Sequence, residues 1–399
     1  MSIHHFPKDF LWGASTSSHQ VEGGNIWNDW YEFEMAGGVK DKVVSGIACD
    51  HYHRYKEDFG IAKELNQNAQ RISIEWSRIE KTEGTYDEKE LEHYRKVLTF
   101  LKQNGFKTFV TLHHFTNPIW LAKQGGWANK KVIKQFARYT EHVVNNLGDL
   151  VDYWMTINEP NVYLSQGYLI GNWPPEKYNL FQFIRSGFIM ADAHKAAFDV
   201  IKKINPDYKI GIVYNFSFYA TNYYFRKFFK KSMDYSRNFL FMDRVRKHLD
   251  FIGMNYYFPS FYEGASQRTD LDWPISPEGL HEAIAKTYHR YNLPIIITEN
   301  GIADCDDKER KYFILEHIKS VALAIKDGAN VGGYLHWSLL DNFEWREGFT
   351  PRFGLIEIDY DDLSRKIRDS AYLYAKICKE NSVDTQMTLS IKSAISRSE

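Results

Sequence analysis

Cysteine is scarce in this chain: 399 residues hold three, Cys49, Cys305 and Cys378, far apart and in no CxxC pair. That excludes a disulfide framework and a zinc knuckle. No apolar run reaches the ~18 residues that a membrane-spanning helix needs. Neither sign of charge dominates, since 50 basic residues meet 51 acidic ones for a net charge of −1. Nothing in that balance favours nucleic acid or an anionic membrane as a partner. The opening, MSIHHFPKDFLWG, lacks the charged-then-apolar layout of a secretory signal. A soluble, cytoplasmic protein is therefore expected. Low-complexity tracts and Gly/Pro/Ser-rich linkers are also missing from residues 1–381, which are read as one domain. The stretch from Ser382 to Glu399 is polar and is read as a mobile tail.

What is there is a repeated alternation. Eight short apolar runs begin at Phe10, Ala69, Lys107, Asp152, Lys209, Phe251, Pro294 and Val331. Each is apolar throughout rather than at every second residue, as strands buried on both faces should be. Helical segments lie between them. In one, Asp87 and Glu90 have capping-box spacing. Leu91, Tyr94, Val97, Leu98 and Leu101 then fall on one helical face, and Gly105 ends the helix. Strand alternating with helix implies a parallel sheet, and eight such units imply a (β/α)8 TIM barrel.

Polar residues crowd the C-terminal ends of these runs. Gln20 follows the first; His113 and His114 end the third; Asn158 and Glu159 end the fourth. Asn255, Tyr256 and Tyr257 end the sixth, Glu299 and Asn300 the seventh, Trp337 and Ser338 the eighth. Active sites of this barrel lie on that face. Two carboxylates on one rim, Glu159 and Glu299, are what glycoside hydrolysis requires: one protonates the leaving oxygen and the other meets the oxocarbenium-like carbon. His113 and His114 are neighbours on a strand and point to opposite faces. They are not expected to share an ion with Glu159, and no metal or other cofactor is expected.

Four motifs in order carry a resemblance: FPKDFLWGASTSSHQVEG from Phe6, TINEP around Glu159, ITENG around Glu299 and HWSLLDNFEW from His336. From about Phe6 to Ile377 the chain resembles family 1 glycoside hydrolases, the β-glucosidase and β-galactosidase family. The resemblance implies a retaining β-glycosidase with Glu299 as nucleophile and Glu159 as acid/base. It implies Gln20, His114, Asn158, Glu344 and Trp345 as hydrogen-bond partners of the sugar, Trp337 as the platform under its ring, and Arg71, Tyr257 and Asn255 as supports of the nucleophile. Physically, a nucleophile that stays ionised needs a cation or donors beside it, whereas the acid needs a raised pKa from apolar walls and a neighbouring charge. Retention needs the two carboxyl groups about 5 Å apart. A sugar-binding barrel without catalysis and a transglycosylase using the same intermediate are the alternatives. A chromogenic glycoside separates the first, and product analysis with added alcohols the second.

Departures from the family pattern are also legible. The chain is short, mainly between Phe216 and Asp250. There the stretch from Ala220 to Leu249 carries eight Lys or Arg against two Asp. A barrel helix with its basic side chains in water is expected over Phe218 to Leu249. Phe115 stands where the family usually has Trp. Glu344 is kept, and Thr350, Arg352 and Phe353 stand where relatives that cleave 6-phosphorylated sugars resemble one another by Ser, Lys and Tyr; a free sugar is expected. Asn215-Phe-Ser217 matches a glycosylation sequon and is read as chance.

Overall fold

The eight apolar runs close on themselves. A short first strand, β1 (Ile3–His5), precedes the barrel strands β2 (Leu11–Ser15), β3 (Ala69–Ser73), β4 (Lys107–His113), β5 (Tyr153–Asn158), β6 (Lys209–Asn215), β7 (Phe251–Asn255), β8 (Ile295–Asn300) and β9 (Val331–Trp337). Each pairs in parallel with the next, and β2 closes on β9, with Ser15 opposite Trp337. This is the (β/α)8 barrel expected from the alternation. The computed structural model describes residues 3–219, 230–260 and 267–384.

Both faces of the strands are dry, which is why the runs do not alternate. Inside, Leu11, Ala69, Phe109, Met155, Val213, Phe251, Ile296 and Leu335, one from each strand, pack into a plug. Outside, residues such as Val110, Trp154, Ile212 and Ile297 pack against the helices in one continuous core. The plug fills the lower barrel and leaves the C-terminal rim for polar groups.

The helix Glu88–Gln103 buries Leu91, Tyr94, Val97, Leu98 and Leu101, the five residues its periodicity predicts. Asp87 caps it by accepting from the amides of Lys89 and Glu90 at 3.1 and 3.3 Å. The reciprocal half of a capping box is not made, because the Asp87 amide donates to the Ile79 carbonyl at 2.8 Å. Among the described residues no helix is long and apolar enough to cross a membrane.

Two expectations need correcting. Ser382–Asp384, expected in the mobile tail, forms a last strand, β10, antiparallel to β1, with Val383 opposite His4. One backbone ladder thus ties the two ends of the described chain together. The rest of the expected tail, 385–399, lies outside the described residues. In the basic stretch, 220–229 also lies outside them. The remainder is helical at Tyr235–Phe239 and Leu240–Val245, and Arg244, Arg246 and Lys247 are exposed as expected. Arg237 is half-buried and lines the cavity in the barrel mouth.

Candidate active site

A cavity of about 330 Å³ opens on the C-terminal rim, lined by side chains that include His114, Asn158, Glu159, Tyr257, Glu299, Trp337, Glu344 and Trp345. Strand ends position most of them, so the site inherits the rigidity of the barrel; Glu344 and Trp345 come from the segment after β9. Three non-glycine residues of its wall adopt left-handed backbone, Phe115 (φ 71°), Glu159 (φ 43°) and Trp345 (φ 51°). Such conformations cost energy and persist where the surroundings enforce them, commonly at functional sites. At Glu159 the chain leaves β5 and enters the helix Pro160–Leu164, with proline at its first position. The glycine two residues after Glu299 has a packing reason. A Cβ at Gly301 would collide with the Trp337 carbonyl oxygen.

Glu299 is held by two donors. Arg71, wholly buried on β3, donates from Nη1 to one carboxylate oxygen, and the Tyr257 hydroxyl donates to the other at 2.6 Å. The same guanidinium donates from Nη2 to Asn158 Oδ1 at 2.6 Å and from Nε to Thr111 at 3.1 Å. Burial, and then the charge on Glu299, hold the Tyr257 phenol well above its usual range, so it remains a donor.

Glu159 has different neighbours. The amides of Asn215 and Asn255 both donate to its Oε1, at 2.9 and 2.8 Å. Burial first, and the charge on Glu299 second, push its carboxyl up to about 7, against the pull of those amides and of Arg237. Asn255 is therefore a correction: it was expected to support Glu299, but its side chain serves Glu159. Its backbone lies opposite Glu299 in the β7–β8 register, while Thr298 donates to its Oδ1 at 2.7 Å and turns the amide nitrogen towards Glu159. Asn215 was missed as a site residue. It ends β6 as the other polar residues end their strands, and that signal was available. Its side chain is committed to Glu159, which fits the reading of the sequon as chance.

All the expected sugar-binding groups except Gln20 line the same cavity. Gln20 is fully buried and reaches Glu344 Oε2 at 3.2 Å, its own oxygen held by Ser17 at 2.6 Å. Loss of solvation, and then the charge on Glu299, raise Glu344 to about 8. His114 Nε2 lies 3.2 Å from the Asn158 amide, and burial and then Arg71 keep its ring neutral. His113 points away, to Asn117 at 3.1 Å, so the two histidines diverge as their strand positions predict. Phe115 fills its place as an aromatic, 5.1 Å from Trp345 and 5.0 Å from Trp173.

The model of glycosyl hydrolase family 1 matches residues 2–223 and 262–383. The chain belongs to this family. It is 33% identical to β-glucosidase A of Thermotoga maritima over 96% of this chain and all of that one, and 30% identical to a β-galactosidase of Pyrococcus woesei over 95% and 98%. A solved β-glycosidase from Pyrococcus horikoshii superposes with a TM-score of 0.90 at 35% identity, covering 97% of each chain. The alignment to the Thermotoga enzyme spans 445 positions against 399 residues here, so this family 1 hydrolase is a short member.

Proposed function

We propose that the protein hydrolyses terminal β-D-glucosides with retention, with β-galactosides and β-fucosides as further substrates, Glu299 acting as nucleophile and Glu159 as acid/base. The observation that carries this division is the contrast between the two carboxylates. Glu299 sits between a guanidinium and a phenol, the setting of a group that must be anionic. Glu159 is buried among amides and raised to about 7, the setting of a group that gives up a proton near neutrality. In the first step a Glu299 oxygen bonds to the anomeric carbon, the bond to the aglycone oxygen breaks, and that oxygen takes the proton of Glu159. The Glu299 charge is then lost to the ester, and the main electrostatic force raising Glu159 goes with it. In the second step Glu159 removes a proton from water, whose oxygen bonds to the anomeric carbon as the ester bond breaks.

Trp337 supports the sugar ring, and Gln20, His114, Asn158, Glu344 and Trp345 bind its hydroxyls. A free sugar fits better than a phosphorylated one. Arg352 is spent on Asp341 and the Ile358 carbonyl, at 3.4 and 2.9 Å, while Phe353 and Glu344 line the cavity. The chemistry so written needs neither metal nor cofactor. The cytoplasmic reading rests on the three cysteines, all free thiols. The test is a panel of p-nitrophenyl β-glycosides, with the first-formed anomer followed by NMR. Cleavage of the glucoside with β-glucose appearing first is expected. A first-formed α anomer overturns the retaining mechanism, and no cleavage of any β-glycoside overturns the activity.

A further inference from the structure

Arg237 belongs to the basic stretch expected to lie in water, yet it lines the cavity that holds both carboxylates. Its placement is built. The Tyr214 hydroxyl donates to its backbone carbonyl at 2.8 Å, and the next side chain, Asn238, accepts from the Ser217 amide at 2.9 Å and donates to the Ser217 carbonyl at 2.8 Å. Those ties fasten the wide helical turn Tyr235–Phe239 to the end of β6, on either side of Asn215. Wide turns of this kind recur at functional sites.

From there Arg237 Nη2 donates to Asn215 Oδ1 at 3.2 Å, and Asn215 Nδ2 donates to Glu159 Oε1 at 2.9 Å. A carboxamide accepts on one side and donates on the other, whereas a guanidinium only donates. With Arg237 in place, the oxygen of Asn215 must face the cation and its NH2 must face Glu159. Asn255 supplies the second NH2 to the same oxygen. Among the described residues both hydrogen bonds to this carboxyl fall on Oε1. An oxygen that accepts two N–H groups has no room for a proton.

We propose that Arg237 is a positioning residue for the acid/base carboxyl: it locks the Asn215 amide onto Oε1 of Glu159, confines the transferable proton to Oε2, and steadies the carboxylate left after that proton is given up. This rests on the proposed role of Glu159. The charged and titratable groups that face Glu159 are Glu299 from β8, Glu344 from beyond β9, Tyr257 from the end of β7 and Arg237. The first two, when ionised, raise its pKa, and Tyr257 is a protonated phenol; of the cations at the site Arg237 acts on Glu159, while Arg71 is paired with Glu299 and Arg346 stands elsewhere on the wall.

The test is the pH profile of kcat/KM for an alkyl β-glucoside, whose poor leaving group needs the acid, in Arg237→Met, Arg237→Gln and Arg237→Lys. Met removes both the donor and the charge, Gln the charge only, and Lys neither. Loss of a cation beside a carboxylate raises its pKa, so the alkaline limb should move up by about 0.5–1 pH unit in Met, less in Gln and hardly in Lys. With a dinitrophenyl glucoside, where the second step limits turnover, kcat should fall several-fold in Met and recover in Lys. A limb that stays put in all the variants overturns the inference, as does a limb displaced as far in Lys as in Met. Should Met fail to fold, the contrast between Gln and Lys still decides. Glu159→Ala is run beside them. If it keeps the alkaline limb, the reading of Glu159 fails; if it loses the limb and the Arg237 variants leave it unmoved, only the role of Arg237 fails.

Discussion

Glu159 and Glu299 are the same amino acid, at the ends of strands of one barrel and on the walls of one cavity, and both are almost wholly buried, at 6% and 3% exposed. Their neighbours make them different reagents. Around Glu299 the barrel places a buried cation and a phenol on the two carboxylate oxygens. Around Glu159 it places two neutral amides on one oxygen and leaves the charge of Glu299 to work against ionisation. Burial alone therefore does not set a carboxyl's role; the donors that accompany burial do.

The largest effect expected from breaking this contrast is at Glu299. Glu299→Ala removes the nucleophile, and cleavage of any β-glycoside should fall by at least about 10⁴-fold. Azide or formate can enter the vacated space and attack the anomeric carbon, giving a product of inverted configuration. Glu159→Ala should discriminate among substrates. Alkyl glycosides, which need the proton, lose about 10²–10⁴-fold, while dinitrophenyl glycosides still form the intermediate rapidly. Turnover then stalls for want of a base, and azide should restore it with configuration retained. Two variants that gave the same anomer with azide would break the assignment.

Much of this was legible in the sequence, and the parts that were not share a cause. The barrel could be read because its strands are dry on both faces, which writes each one as a continuous apolar run. Glu159 and Glu299 could be read because a carboxylate ending such a run has no packing reason to be there. Asn255 was assigned to the wrong glutamate because its backbone pairs with Glu299 while its side chain, turned by Thr298, reaches across to Glu159; one dimension cannot tell the two apart. Arg237 was hidden inside a charge run. It and its seven basic companions could be averaged into one solvated face, and only the wide turn pinned by Tyr214 and Asn238 singles it out.

A smaller effect is the pH dependence of the same contrast. With Glu159 raised to about 7, its proton is present below that value and lost above it. For alkyl β-glucosides kcat/KM should fall about tenfold per pH unit once the pH is well above 7. Dinitrophenyl glucosides do not need the proton in the first step, so their kcat/KM should lack this limb. Parallel profiles for the two substrate classes would show that Glu159 is not the proton donor.

The smallest effect concerns stability, and there the two glutamates should differ in sign. Glu299→Gln leaves Arg71, itself 0% exposed, without its anion. Breaking a buried pair from one side costs about 3 kcal/mol, so the variant should melt at lower temperature at neutral pH. Glu159→Gln does the reverse. Its amide oxygen still accepts from Asn215 and Asn255, while the buried charge is gone. The folded pKa of Glu159 lies above the ordinary glutamate value of 4.5, so the folded state holds its proton more tightly than the unfolded one. Wild-type stability is lost on this account as pH rises from about 4.5 through about 7, and the loss is complete above that. Glu159→Gln should therefore be more stable than wild type at pH 8, on the order of 1–3 kcal/mol, and equal to it near pH 4.5. Thermal unfolding of both variants at the two pH values checks this. A Glu159→Gln variant no more stable than wild type at pH 8 would mean that the amides around Oε1 already compensate the buried charge, and the electrostatic contrast between the two carboxylates would be smaller than their surroundings imply.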